Sequence, residues 1–140
     1  MPAFERFTRE ARQAIRAAAE TAAQLEHRKV YPFHLLLGCL QVPESFAGRV
    51  LSDVWADGEL GPIGEAIELA RQCGPPPSHQ ATGTFGEAAR PIVAEGALKV
   101  AYRLGHARIG TGHLMVAVFD SRDPTTEAMT RSHAERLARS

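Results

Sequence analysis

The chain has 140 residues, 44% hydrophobic and 23% charged, enough for one domain with a sizeable core and ordinary for a helical protein. Sixteen Lys and Arg balance sixteen Asp and Glu, so overall charge gives no reason to expect a nucleic-acid or anionic-membrane partner. The longest apolar run, Leu35 to Leu40, is far too short to span a bilayer, and the start MPAFERFTRE lacks a signal-peptide core; a cytoplasmic location is expected.

The first predicted helix follows Thr8, a plausible N-cap. Phe7, Ala11, Ile15, Ala18, Ala22 and Leu25 recur at three- and four-residue steps, which is one helix face. A second begins at Pro32, which suits a first turn because its missing N–H costs nothing there. Leu35, Leu36, Leu37, Cys39 and Leu40 make that helix apolar nearly all round, hence central. A third helix is expected on the spacing of Phe46, Val50 and Val54, and a fourth on Ile63, Ile67 and Ala70. CGPPPSHQATGTF then breaks the chain, since three prolines in a row cannot continue a helix. The division expected is repeat one 1–72, linker 73–84 and repeat two 85–140. Beyond it, Val93, Ala97, Val100 and Leu104 mark a fifth helix. Thr111 is expected to cap a short apolar helix starting near His113, and TTEAMTRSHAERLARS forms a last, amphipathic one. No segment sustains period-two alternation. The fold class is all-α.

The order of these elements repeats. LEHRKVYPFHLLLGCL and LGHARIGTGHLMVAVF each place two histidines seven residues apart, His27/His34 and His106/His113, across a helix end, a loop and a helix start. Metal binding competes with a structural role for these four. The spacing is not the HxxxH that sets two imidazoles on one helix face, so bonding to loop backbone or capping a helix end is the stronger reading. Cys39 belongs in the core, and Cys73 is expected to be exposed in the linker. Without CxxC spacing they suggest neither a disulfide nor a metal site. GxSxG, a Cys/His pair and a phosphate-binding Gly loop are all absent, Glu65 and Glu68 read as a solvated helix face, and no enzyme activity or cofactor is expected.

The doubled pattern FT-x-x-AR followed by L-x-H-x(6)-H-LLLG resembles the Clp repeat, the N-terminal domain of ClpA- and ClpC-type AAA+ unfoldases. The resemblance covers nearly the whole chain and implies two copies of a four-helix unit. One departure is that Phe85 to His106 spans 21 residues where Phe7 to His27 spans 20. Another is that no Walker motif GxxxxGK[ST] occurs, so the chain looks like a stand-alone N-domain without a motor. The resemblance implies binding of substrates, adaptor proteins or, in actinobacterial members, cyclic peptide antibiotics. Some members also read phosphoarginine through the Glu of a GTEH motif. Here Phe33 and Gly112 stand at the matching positions. Neither supplies the carboxylate a guanidinium pairs with, so phosphoarginine recognition is expected to be weak or absent.

The family's aromatic and basic peptide-site positions are matched by Phe4, Arg12, Phe85 and Arg90, an apolar and cationic set suited to aromatic-rich peptides. The alternative is that Phe4 is a frayed terminus and Phe85 a packing staple; Phe7 is expected in the core. The expected function is a non-catalytic binding module that captures peptides, adaptors or cyclic peptide antibiotics, as a decoy or regulator of Clp-dependent proteolysis. Alternatives are a regulatory subunit bound to the Clp unfoldase or protease, and a nucleic-acid-binding regulator using Arg131, Arg136 and Arg139. The second is disfavoured because Glu127 and Glu135 interleave with those arginines.

Overall fold

The computed structural model describes the whole chain except residues 1–4, 57, 79–81 and 140, and except the side chains of 133 and 136–139. The described residues form seven helices and no strands.

Helix α1, Arg9–Gln24, starts where Thr8 Oγ1 accepts the Ala11 N–H at 3.1 Å. Its buried stripe of Ala11, Ala14, Ile15, Ala18 and Ala22 is flanked by buried Phe7 and Leu25. That is the face its spacing predicts. Helix α2, Pro32–Leu40, is buried at all nine residues and forms the centre. Gly38 lets α1 and α2 close up, because a Cβ there would lie 2.0 Å from the Ala14 carbonyl oxygen.

Helix α3, Phe46–Val54, occurs where expected but turns the other way. The predicted stripe Phe46, Val50 and Val54 is exposed, at 59%, 37% and 37%, whereas Ala47, Gly48 and Leu51 face inward with Trp55. Gly48 rides directly on the Val42 carbonyl, where no side chain would fit. Helix α4, Gly61–Cys73, buries Ala66, Leu69 and Ala70, while Ile67 is half-buried and Ile63 exposed. Cys73 is its last residue and is half-buried, its Sγ 3.9 Å from Ser132 Oγ, not exposed in a linker.

In the second half a helical turn Ala89–Pro91, a π turn Ile92–Gly96 and a helix Ala97–Arg103 run on as one element, α5. The π turn absorbs the extra residue of this half, with the Ala97 N–H bonded five residues back to Ile92. Ala97 and Val100 are buried as their spacing predicts, but Leu104 is exposed. Helix α6, Thr111–Asp120, has Gly110 rather than Thr111 as its N-cap. Thr111 Oγ1 instead accepts the Ala47 N–H of α3 at 3.1 Å, capping a helix in the other half. Helix α7, Pro124–Arg139, starts where Asp123 Oδ2 accepts the Thr126 N–H and hydroxyl.

Two parallel bridges relate the halves. Phe7 pairs with Ile109 and Phe85 with Val30. Thr8 N–H donates to the Ile109 carbonyl and Ile109 N–H to that of Arg6, both at 2.8 Å. Val30 N–H donates to the Thr84 carbonyl and Gly86 N–H to that of Val30, both at 2.9 Å. Each half is therefore bound by the same loop of the other, an approximate two-fold exchange.

Candidate functional site

The four histidines form two hydrogen-bonded pairs. His27 Nδ1 and His34 Nε2 lie 2.7 Å apart, and His106 Nδ1 and His113 Nε2 lie 2.8 Å apart. Backbone decides the tautomers. Tyr31 N–H donates to His34 Nδ1 at 2.8 Å, and Gly110 N–H to His113 Nδ1 at 2.9 Å. His34 therefore carries its proton on Nε2 and donates to His27 Nδ1, and His113 does the same toward His106. His27 is left with a proton on Nε2, and its backbone hydrogen bond to Pro75 ties the pair to the segment after α4. The two His–His chains brace each loop to the start of the next helix, the capping role expected for His34 and His113. Direct pairing of the rings was not foreseen. The signal for it was the equal spacing in both halves, which sets one ring at a helix end and the other at N3 of the next helix.

Burial disfavours the charged form of His34, His27 and His113. His34 is pushed down to about 3, first by desolvation and then by the adjacent His27. Desolvation also lowers His27, opposed by the Pro75 hydrogen bond and reinforced by Arg71. His113 is lowered by desolvation and by His106. No group of three or more metal-ligating side chains is assembled among the described residues. The Cys39 thiol, fully buried, is raised to about 12, far from the thiolate that reactivity requires.

The two positions lacking a carboxylate are both filled. Phe33 is buried, stacked on Tyr31 with ring centres 6.1 Å apart and against His34 at 4.1 Å. Gly112 lies under the Phe46 ring, and a Cβ at 112 would sit 2.9 Å from Phe46 Cδ2. Beside it opens a cavity of about 520 Å³ between α3 and α6, lined by Phe46, Arg49, Leu104, His106, His113 and Val116.

Of the predicted peptide-site residues, Phe4 lies outside the described residues. Phe85 is half-buried at its bridge to Val30 and packs on the core. Arg90 is exposed and donates from Nη2 to the Phe85 carbonyl at 3.3 Å, so these two are brought together. Arg12 is half-buried on α1, and among the described residues no side-chain hydrogen bond or ion pair joins it to either. Phe7, the counterpart of Phe85, is entirely buried.

Residues 6–133 match the Clp repeat (R) N-terminal domain. The chain belongs to this family. It is 35% identical over 120 residues to uncharacterized proteins of Mycobacterium tuberculosis and Mycobacterium bovis, covering 86% of this chain and 45% of theirs. It is 31% identical over 121 residues to a probable ATP-dependent Clp protease ATP-binding subunit of Chlamydia pneumoniae, covering 86% of this chain and 14% of that one. This Clp N-domain thus spans less than half the length of the curated relatives it matches. Its fold is that of the crystal structure of the N-terminal domain of the Arabidopsis thaliana chaperone ClpD, with TM-score 0.67, 23% identity and 96% of both chains covered. No helix among the described residues is long and apolar enough to cross a membrane.

Proposed function

We propose that this Clp N-domain is a non-catalytic module that binds peptides or proteins. In this reading it captures adaptors, substrates or cyclic peptide antibiotics, and so acts as a decoy or regulator of Clp-dependent proteolysis. The observation that carries the reading is the difference between Phe7 and Phe85. One is sealed in the core, whereas its counterpart surfaces beside the cationic Arg90. A partly exposed ring whose own backbone carbonyl accepts from an exposed guanidinium suits an aromatic, peptide-like ligand, which can bury area on the ring and stack on the cation. The histidines fit a bracing role, because in each pair three of the four ring nitrogens are engaged by backbone or by the partner ring. Phosphoarginine recognition is lost in this reading: Phe33 is enclosed by rings and Gly112 is roofed by Phe46.

Capture works by mass action, so its effect scales with free protein over its dissociation constant. The test is an NMR titration of labelled protein with a cyclic peptide antibiotic, with free phosphoarginine as control. Saturable shifts around Phe85 and Arg90 that vanish in Phe85→Ala, and none with phosphoarginine, are the expected result. Unmoved spectra with the cyclic peptide would reduce Phe85 to a packing residue.

A further inference from the structure

The first half already carries a docked peptide, and it is part of the same chain. Pro75, Pro76 and Pro77 have fixed φ, and each of the first two is held extended by the proline after it. The stretch therefore takes the polyproline form, three residues per turn, in which positions three apart share a face. Pro75 and Ser78 are half-buried, whereas Pro76 and Pro77 are exposed. The covered side lies on the loop after α1. His27 donates to the Pro75 carbonyl, and the Ser78 N–H donates to the Glu26 carbonyl at 2.6 Å. Gly74 passes close over the rings, where a Cβ would sit 3.3 Å from Phe33 Cζ and 3.6 Å from His27 Cε1.

The second half shapes the same surface. Gly105 and Glu26 share the left-handed conformation, at φ 72° and 58°. The N–H groups of Gly105 and His106 bond to Tyr102 and Ala101, as those of Glu26 and His27 bond to Ala23 and Ala22. The ring pair is set alike, so His106 also holds its proton on Nε2. Among the described residues, neither that N–H nor the Gly105 carbonyl has a hydrogen-bond partner. Apolar surface lies next to them. Leu104 is 59% exposed where its counterpart Leu25 is 5%, and it lines the α3–α6 cavity with His106 and Val116. Gly112 replaces Phe33, and Phe46 brings a ring over that place from α3.

Charge around the cavity fits the same kind of segment. Glu10 and Glu44 outnumber Arg49, whose Nη1 donates to the Glu44 carbonyl. In the first half, Arg71 stands four residues before Pro75 and acts electrostatically on His27.

We infer that the loop Gly105–His106 and the α3–α6 cavity bind a proline-rich segment of another protein, one with a basic residue just before its prolines. His106 Nε2–H takes a prolyl carbonyl, the Gly105 carbonyl takes the N–H three residues on, and the prolyl rings cover Leu104 and Phe46. A preformed polyproline helix gives up little entropy on docking. The inference is independent of the reading that rests on Phe85 and Arg90.

The test is an NMR titration of the labelled intact chain with a synthetic peptide of residues 71–78 carrying Cys73→Ser. Its control has the three prolines replaced by alanine. Saturable shifts at residues 104–107, Phe46 and Val116 are expected with the proline peptide and not with the control. His106→Phe and Leu104→Glu should each raise the dissociation constant at least about tenfold, with helix content unchanged by circular dichroism. Phe85→Ala should leave it unchanged. Leu104 is already largely exposed, so that variant decides the matter if His106→Phe unfolds. Unmoved spectra, equal binding of the alanine peptide, or binding indifferent to both substitutions overturns the inference. Shifts centred on residues 26–30, or on Phe85 and Arg90, overturn it as well.

Discussion

Leu40 and Phe119 hold corresponding places near the ends of α2 and α6, yet one is sealed and the other stands half in water. The same holds for His27, which is buried, and His106, which is exposed. Hydrogen bonding within the two histidine pairs is nearly identical. The difference comes from a third party, α4 and the Pro75 segment, which covers only the first half. Local pattern sets the geometry of each unit here, and a neighbouring helix sets what that geometry is worth.

The comparison can be broken most forcefully at its apolar ends. Leu40→Ala should cost about 3 kcal/mol in urea unfolding, because it opens a cavity that the central helix cannot collapse. Phe119→Ala should cost less than about 1 kcal/mol at concentrations where the protein is monomeric. Equal losses would mean that α6 is covered in solution as thoroughly as α2.

Acid sharpens the contrast between the histidine pairs. An unfolded histidine titrates near 6.5, whereas His34 holds out to about 3 and His27 and His113 are also lowered. The unfolded chain therefore binds protons that the folded one refuses. The stability these rings contribute is complete above about pH 6.5 and erodes as pH falls from there toward 3. At pH 5, His34 alone should account for about 2 kcal/mol of loss relative to pH 7, read as a shift in urea midpoint. His34→Gln should flatten this slope far more than His113→Gln, whose ring is less deeply held. Equal flattening would remove the distinction.

The smallest effect lies at the ends of α1 and α5. Glu26 and Gly105 occupy the same left-handed position, at φ 58° and 72°. Only glycine takes that conformation without a Cβ penalty. Glu26→Gly should therefore raise stability by about 0.5 kcal/mol, and Gly105→Ala should lower it by about 1 kcal/mol, both by calorimetry.

Much of this molecule was legible in its residues. The α1 stripe and the all-apolar α2 could bury only one way. The extra residue between Phe85 and His106 was visible, but not the π turn that takes it up. The face of α3 was not legible. Phe46, Val50 and Val54 are large and evenly spaced, as core residues would be, yet the close approach at Gly48 turns the face of Ala47, Gly48 and Leu51 to the inside. Thr111 was misassigned for a related reason: a hydroxyl at a helix start normally caps its own helix, and only the fold brings Ala47 to it. For the candidate site, the missing carboxylates at Phe33 and Gly112 could be read directly. That Arg90, and not Arg12, would be hydrogen-bonded to Phe85 depended on side-chain contacts that spacing does not encode.

The reciprocal bridges have a kinetic meaning. In stacked repeat arrays each unit touches only its neighbours, and unfolding can begin at one end and travel. Here the first ordered loop of each half is held by the other: Phe7 by Ile109, Phe85 by Val30, and the start of α3 by Thr111. Neither half is complete alone, so melting should occur as one transition, without a half-folded plateau. Joining Phe7 to Ile109 also closes a loop spanning most of the chain before either contact is rewarded, so folding should be slower than is usual for an all-helical domain of this size.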